Sequence, residues 1–255
     1  MRLDVYLYQN GFAQSRQAAK NLITAGSVSV DGNIQTKPSY EIETGDVKII
    51  GDVCPYVSRG AYKLLGALEH FELDVTGMTA LDIGASTGGF TDLLLSRGAK
   101  RVYAVDSGIG QLHSKLESDE RVISIEKYNA RNLNADDIGE KCDIVVMDVS
   151  FISQTYIIPN IPSVLKENGV FIGLIKPQFE AGRAHIGKGG IVKNLDVHAS
   201  VCERIIAFAR EHRLMCFGLT RSPIEGGDGN REYLAAFRYG GEVKNIDVKK
   251  TVYSK

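Results

Sequence analysis

From residue 78 to residue 239 the chain alternates short apolar runs with amphipathic stretches, and this rhythm constrains the fold more than any other feature. Apolar runs at 78–83, 101–106, 122–125, 143–148, 169–175, 214–221 and 232–239 read as strands, with helical patterns near 60–70, 88–97, 109–117, 155–166 and 196–211. Strands separated by helices return over the face of a parallel sheet, so the region is α/β. The last two runs break the rule. The segment between them contains Glu225-Gly226-Gly227-Asp228-Gly229-Asn230 and no helix. Such a turn is too short for a right-handed parallel crossover, so these strands are expected to pair antiparallel. The expectation is a seven-stranded, mostly parallel sheet closed by an antiparallel hairpin.

Ahead of this domain lies a smaller pattern. Leu3, Tyr6, Leu7 and Asn10 follow helical spacing, Gly11-Phe12 breaks it, and Ser15 is placed to cap a second helix. That helix carries Ala18, Ala19, Leu22 and Ile23 on one face and Arg16 and Lys20 on another, and it stops at Gly26. Alternation at Val28 and Val30, the turn pair Asp31-Gly32 and a later strand over Val47–Ile50 complete a small α+β module. The domains expected are therefore 1–52 for the module, 53–59 for a connector, 60–242 for the α/β domain and 243–255 for a C-terminal tail.

The residues richest in chemical meaning sit where strands end. Leu81-Asp82-Ile83-Gly84-Ala85-Ser86-Thr87-Gly88-Gly89-Phe90 joins the first strand of the large domain to its helix. Ligands of open α/β sheets bind beyond the carboxyl ends of the strands, where glycines let the backbone turn tightly and approach the ligand. The spacing D-x-G-x-x-x-G-G differs from the G-x-G-x-x-G that cradles a pyrophosphate, which disfavours a dinucleotide. Asp106 closes the second strand, where a carboxylate can accept from both hydroxyls of a ribose.

Asp148 ends the strand Ile144-Val145-Val146-Met147, and Lys176 ends Gly173-Leu174-Ile175. An unpaired ammonium at the mouth of a buried apolar strand costs several kcal/mol, so Lys176 is expected to have a partner and a task. Lys63 before the first strand of the domain and Glu232 at the start of the last bring the set to Lys, Asp, Lys and Glu in chain order. After Lys176, the segment to Lys193 contains Gly182, Gly187, Gly189 and Gly190 among Arg183, Lys188 and Lys193, which suits a flexible basic loop closing over a nucleic-acid backbone.

Several of these patterns resemble known families. Seven strands ending in a hairpin look like the methyltransferase variant of the Rossmann fold. Arg2-Leu3-Asp4, the Ser15-Arg16 helix start and Gly26-Ser27-Val28 with Val30-Asp31-Gly32 resemble the RNA-binding domain named after small-subunit ribosomal protein S-four. In that fold the helix pair presents basic side chains to RNA, and the matching positions are Arg2, Arg16 and Lys20, with Lys37 as a weaker candidate. The order and contexts of Lys63, Asp148, Lys176 and Glu232 resemble the tetrad of FtsJ-like ribose 2′-O-methyltransferases, and the whole chain resembles the TlyA family, often labelled hemolysin A-like.

That resemblance implies transfer of a methyl group from S-adenosylmethionine to a cytidine ribose of ribosomal RNA, with ribosomal RNA or ribosomal subunits as partners. The cofactor would lie on Asp82 to Phe90, Asp106, Asp148 and Asn129, the last matching a position that contacts the adenine edge in related enzymes. Methyl transfer from a sulfonium leaves the enzyme chiefly to deprotonate and aim the acceptor. Lys176, kept neutral or made a better acceptor by the nearby cation of Lys63, could take the proton, and which of the two lysines is the base stays open. Asp148 would orient Lys176 and balance the cofactor's charge, while Glu232 would position Lys63 or the sugar.

Composition restricts the alternatives. The formal net charge is −1, so any attraction to RNA has to come from local basic surface. Cys54, Cys142, Cys202 and Cys216 show no C-x-x-C spacing and read as reduced thiols, and no cluster has metal-ligand spacing. The N-terminus lacks a signal-like apolar run, and Val170–Ile175 is far shorter than the roughly 20 residues of a membrane span, so a cytoplasmic location is expected. A small-molecule or protein methyltransferase, a non-catalytic ribosome-binding assembly factor and a pore-forming protein remain the competing classes, and the number of chains in the working molecule stays open.

Overall fold

The computed structural model describes residues 1–255 except 14, 25, 44, 51–53, 227–228 and 255, and the chain forms two compact units, Met1–Pro55 and Tyr56–Lys255. The boundary expected at residues 52–53, and Gly227-Asp228 of the expected turn, lie outside the described residues.

In the first unit, α1 (Leu3–Gln9) and α2 (Arg16–Thr24) pack on a three-stranded antiparallel sheet of order β2-β1-β3, with β1 Val28–Val30, β2 Asn33–Ile34 and β3 Val47–Ile49. Ser15 caps α2, its Oγ accepting from the Ala18 amide at 3.0 Å. Val30 pairs with Asn33 across a two-residue turn in which Asp31 and Gly32 both have positive φ (50° and 79°), the mirror-image geometry that matches strand twist. Leu3, Leu7, Ala19 and Ile23 meet Val28, Val30, Ile42 and Val47 in one small core. Asp4 is fully buried beside it and accepts from Arg2 Nε and Arg16 Nε, both at 2.9 Å, and these guanidinium partners hold its carboxyl down at about 2.

The second unit is a seven-stranded sheet of order β6-β5-β4-β7-β8-β10-β9. Its strands are β4 Thr79–Ile83, β5 Arg101–Val105, β6 Val122–Ile125, β7 Cys142–Met147, β8 Leu165–Ile175, β9 Leu214–Arg221 and β10 Tyr233–Tyr239. The first five run parallel, and β10 pairs antiparallel with both β8 and β9, as its short connection requires. Because helices cover both faces, β4 is buried at every residue. Leu81, Ile83, Val145 and Met147 face a core shared with α9 (Leu195–Glu211), and Ala80, Ile144, Val146 and Ile172 face one shared with α3 (Ala61–His70) and α4 (Gly89–Ser96).

The helices expected at 109–117 and 155–166 are not formed as such. The first is one turn, α5 (Ser114–Glu117). Gly108 and Gly110 precede it, and the Gly110 amide is taken by Glu126, so the spacing of Leu112 and Leu116 serves burial without a long helix. The second is broken into 3-10 turns at Gln154–Tyr156 and Ile158–Asn160 and a single turn, α7 (Ile161–Val164), with Pro159 and Pro162 each removing an amide donor. Among the elements not expected are α6 (Ala135–Ile138), capped by Asn134, and α10 (Val248–Tyr253). Asp247 caps α10 and Val248 and Val252 bury its inner face against α9 and β9, so part of the expected tail is packed structure.

Candidate active site

The loop from β4 to α4 and the ends of β7 and β8 enclose a cavity of about 200 Å³. Of the residues expected to bind a cofactor, Asp82, Gly84, Ala85, Ser86, Thr87, Gly89, Phe90 and Asp148 line it, together with Lys176. Gly84 has φ 83°, and a Cβ there would lie 2.4 Å from the Asp148 carbonyl oxygen, so only glycine lets the loop pass over the end of β7. Gly88 opens α4 in the left-handed region. Asp106 stands behind the loop instead of in the cavity wall, accepting from the Ser86 and Gly108 amides at 2.8 and 2.7 Å. Asn129 is also outside the lining. Its Oδ1 accepts from the Arg131 amide and caps the 3-10 turn Ala130–Asn132. Ser58, Gly60 and Ser150 line the cavity and were not singled out by sequence.

Asp82 is the most perturbed group of the site. Burial pushes its carboxyl up to about 7, against a hydrogen bond from Thr91 Oγ1 at 2.7 Å and with the charge of Asp148 adding to the rise. Its Oδ1 is buried with no donor. A cavity with an unpartnered carboxylate oxygen in its wall and a backbone stripped of side chain at Gly84 suits a ligand that carries a cation. The raised value has a consequence for the ligand-free protein. Folded Asp82 binds its proton more tightly than the unfolded chain does, so its share of stability is complete below about pH 4 and is lost as pH climbs to about 7. The Asp82→Asn protein is therefore expected to gain on wild type by about 4 kcal/mol in unfolding free energy between pH 4 and 7. Denaturant titrations across that range that show a constant difference would refute it.

Four ionisable side chains far apart in sequence meet next to this cavity. Lys63 Nζ on α3 lies 2.6 Å from Glu232 Oε2 and 4.0 Å from Asp148 Oδ2, while Lys176 Nζ lies 2.5 Å from Asp148 Oδ1. The order in space is Glu232, Lys63, Asp148, Lys176, with alternating charge. Glu232 is 2% exposed, and the two lysine side chains 11% and 9%. Two further contacts extend the chain: Lys176 Nζ donates to Ser150 Oγ at 2.9 Å, and Gln178 Nε2 donates to Glu232 Oε1 at 3.2 Å. Helix α8 (Pro177–Glu180) starts directly after Lys176, and Phe179 on it lies 4.9 Å, ring to ring, from the exposed Phe151.

The glycine-rich segment after α8 carries Arg183, Lys188 and Lys193, all exposed. Its far end is anchored by buried polar groups. Asn230 accepts from the Val192 amide and donates to the Gly190 carbonyl. His198 Nε2 donates to the Val192 carbonyl at 2.7 Å, while its Nδ1 accepts from the Tyr233 hydroxyl at 2.9 Å. Burial pushes the His198 imidazole down. In the first unit, Lys37 is exposed and Lys20 half-buried, and Arg2 and Arg16 keep half-exposed guanidinium groups whose Nε atoms are held by Asp4. Among the described residues no group of three or more His, Cys, Asp or Glu is arranged to hold a metal ion, and no helix is long and apolar enough to cross a membrane.

The strand order, with its antiparallel seventh strand, and the glycine loop at the end of β4 define a class I methyltransferase fold. The FtsJ-like methyltransferase pattern matches residues 56–239 and the S4 domain pattern residues 1–48, and the chain belongs to the FtsJ-like methyltransferase family. A relative from Mycobacterium tuberculosis, named 16S/23S rRNA (cytidine-2′-O)-methyltransferase TlyA, is 41% identical over 239 residues, covering 93% of this chain and 89% of its own. A solved structure from Streptococcus thermophilus that carries a hemolysin name is 42% identical, with a TM-score of 0.80 over 99% of this chain and 94% of that one. The N-methyltransferase NodS from Bradyrhizobium japonicum, in complex with S-adenosyl-L-homocysteine, shares the fold at 16% identity and a TM-score of 0.51, over 72% of this chain and 87% of its own.

Proposed function

We propose that this protein transfers a methyl group from S-adenosylmethionine to a ribose 2′-hydroxyl of ribosomal RNA, that of a cytidine. The observation that carries this reading is the meeting of Lys63, Asp148, Lys176 and Glu232 at the rim of the cavity lined by the glycine loop. The names of the relatives, with the S4 match at the N-terminus, favour ribosomal RNA over other acceptors. The reading puts the protein in the cytoplasm, where ribosomal subunits are modified. It assigns RNA capture to the N-terminal module over residues 1–52 and chemistry to residues 60–242, with 53–59 connecting them and 243–255 following the catalytic domain.

S-adenosylmethionine, when bound, supplies a methyl group on a positive sulfur that departs as a neutral thioether. The unpartnered Asp82 oxygen suits its amino group, and Asp106 and Asn129 are the candidates for its ribose and adenine. Lys176 accepts the proton of the 2′-hydroxyl at Nζ as the oxygen's electron pair forms the new bond to carbon, and it later releases that proton to solvent. Asp148 aims Lys176, and Glu232 holds Lys63 beside Asp148.

Purified protein incubated with tritiated donor and ribosomal subunits should label ribosomal RNA at a cytidine 2′-oxygen, read as resistance of the next phosphodiester bond to alkaline hydrolysis. Label confined to small acceptors, or to a base, overturns the reading. The basic positions give a second expectation. Alanine at Arg183, Lys188 and Lys193, or at Arg2 and Arg16, weakens RNA binding and lowers the slope of log K against log salt by about 0.7–0.9 for each phosphate that is no longer neutralised. Slopes that equal the wild type's in binding titrations would remove those residues from the RNA interface. Lys20 and Lys37 are assigned the same role on the same test.

A further inference from the structure

Lys176 is held by more than its carboxylate partner. Its Nζ also donates to Ser150 Oγ at 2.9 Å, and Ser150 lines the cavity. The turn that carries Ser150 is fixed by the element that carries Lys176. Ser153 Oγ and the Gln154 amide bind the two oxygens of Glu180 on α8 at 2.7 and 2.8 Å, and Gln154 Nε2 donates to the Leu174 carbonyl of β8 at 2.6 Å. Glu180 is itself 2% exposed and paired with Arg204. Phe151, next to Ser150, has φ 63°, a left-handed conformation in which a bulky residue is uncommon. The separation of Ser150 from Lys176 is thus set by buried hydrogen bonds between backbone and framework side chains.

A tetrahedral amine has four directions. At Lys176 one is the bond to Cε and one is the hydrogen bond to Ser150 Oγ, while Asp148 Oδ1 lies 2.5 Å away as an ion-pair contact outside hydrogen-bond geometry. With one N–H bond committed to Ser150, the rotation about Cε–Nζ is fixed, and with it the direction of the lone pair in the neutral amine. Asp148 alone would leave the group free to rotate about Cε–Nζ, spreading the lone pair over several orientations.

We propose that Ser150 is a positioning residue for methyl transfer, its hydrogen bond fixing the rotation of the Lys176 amine so that the lone pair faces the acceptor hydroxyl. The inference rests on the reading of Lys176 as the base. The other groups facing Lys176 are Asp148 from the end of β7 and the Phe179 ring, 5.8 Å from Nζ, on α8. Lys63 on α3 and Glu232, just before β10, reach it through Asp148, whose charge also acts on Asp82 of β4.

The test is single-turnover methylation of ribosomal RNA as a function of pH for wild type, Ser150→Ala and Ser150→Thr, beside calorimetric binding of S-adenosylhomocysteine. Ser150 is exposed, so its truncation leaves the fold intact. In Ser150→Ala the plateau rate should fall by about 10- to 100-fold, the effect of a misaimed reacting group. At the same time the acidic limb of the profile should move to lower pH, because the lost oxygen accepted an N–H bond from the ammonium form. Binding of S-adenosylhomocysteine should change by less than about fivefold, and threonine, which keeps the hydroxyl, should restore most of the rate.

An unchanged rate, an unmoved limb or a limb displaced to higher pH each overturns the inference, the last because it would mean that Ser150 donates to the lone pair and competes with the substrate. A general loss of cofactor binding with no rescue by threonine overturns it as well. Should wild type itself methylate no ribosomal RNA, the reading beneath the inference fails and takes the inference with it; an active wild type with an unaltered Ser150→Ala profile removes the inference alone.

Discussion

Lys176→Ala is expected to lower the rate of methyl transfer by about 10²- to 10⁴-fold, the usual contribution of a positioned base, with S-adenosylhomocysteine binding little altered. Lys176→Arg should be nearly as inactive, and this second variant decides the role. Arginine keeps a positive charge beside Asp148 and can donate to the same oxygens, but its guanidinium does not release a proton in proteins. If Lys176 served only to neutralise Asp148, arginine would restore the rate; if it accepts the ribose proton, arginine cannot. Single-turnover rates of the two variants with ribosomal subunits as substrate check this. An arginine variant within about tenfold of wild type would assign the proton to another acceptor, with Lys63 the next candidate. Lys63 is less well placed for that task, because its Nζ is bound by Glu232 at 2.6 Å and is absent from the wall of the cavity.

The sequence carried the strand order of the catalytic domain because each step of it is a local fact. Buried parallel strands are short apolar runs, and the missing helix between 221 and 233 leaves β10 no choice but to run antiparallel. It carried two of the four charged residues for a related reason. Asp148 and Lys176 follow strands whose direction is fixed by the sheet, so their approach follows from topology once the strands are placed, whereas Lys63 on α3 and Glu232 are added by resemblance to the FtsJ-like tetrad. What it did not carry depends on three-dimensional partners. The apolar pattern of 155–166 is genuine, since Ile157, Ile158, Ile161, Val164 and Leu165 are all buried, yet Pro159 and Pro162 divide it into turns that bury the same residues.

Arg2 and Arg16 look like two free basic side chains until Asp4 is seen fully buried between them. In sequence Asp4 is one acidic residue in a first helical turn, where it would be read as favouring the helix dipole. Ser150 was hidden for a different reason. A serine after a strand is a common turn residue, and only the 2.9 Å contact with Lys176 distinguishes it from any other. The short helix α10 was legible in part, through the capping Asp247 and the spacing of Val248 and Val252, but a six-residue helix makes too short a pattern to separate from a tail.

Lys63→Met should destabilise the protein as well as silence it. The substitution keeps a long side chain at this position of α3 but removes the ammonium from Glu232, which is 2% exposed and would be left, among the described residues, with Gln178 as its side-chain donor. Breaking a buried pair on one side costs about 3–5 kcal/mol, because the surviving charge has lost its partner without regaining water. In a catalytic domain of this size that corresponds to a fall in melting temperature of roughly 6–20 °C. Adding Glu232→Gln removes the stranded charge, so the double variant should recover much of the stability while staying inactive, since neither the cation near Lys176 nor its anchor is restored. Calorimetry and single-turnover rates on the same three proteins separate the two contributions. A single variant that melts with wild type would mean that water reaches Glu232. A double variant that melts with the single one would mean that Lys63 stabilises the fold through Asp148, 4.0 Å away, and the chain of alternating charges would then have to be read from its other end.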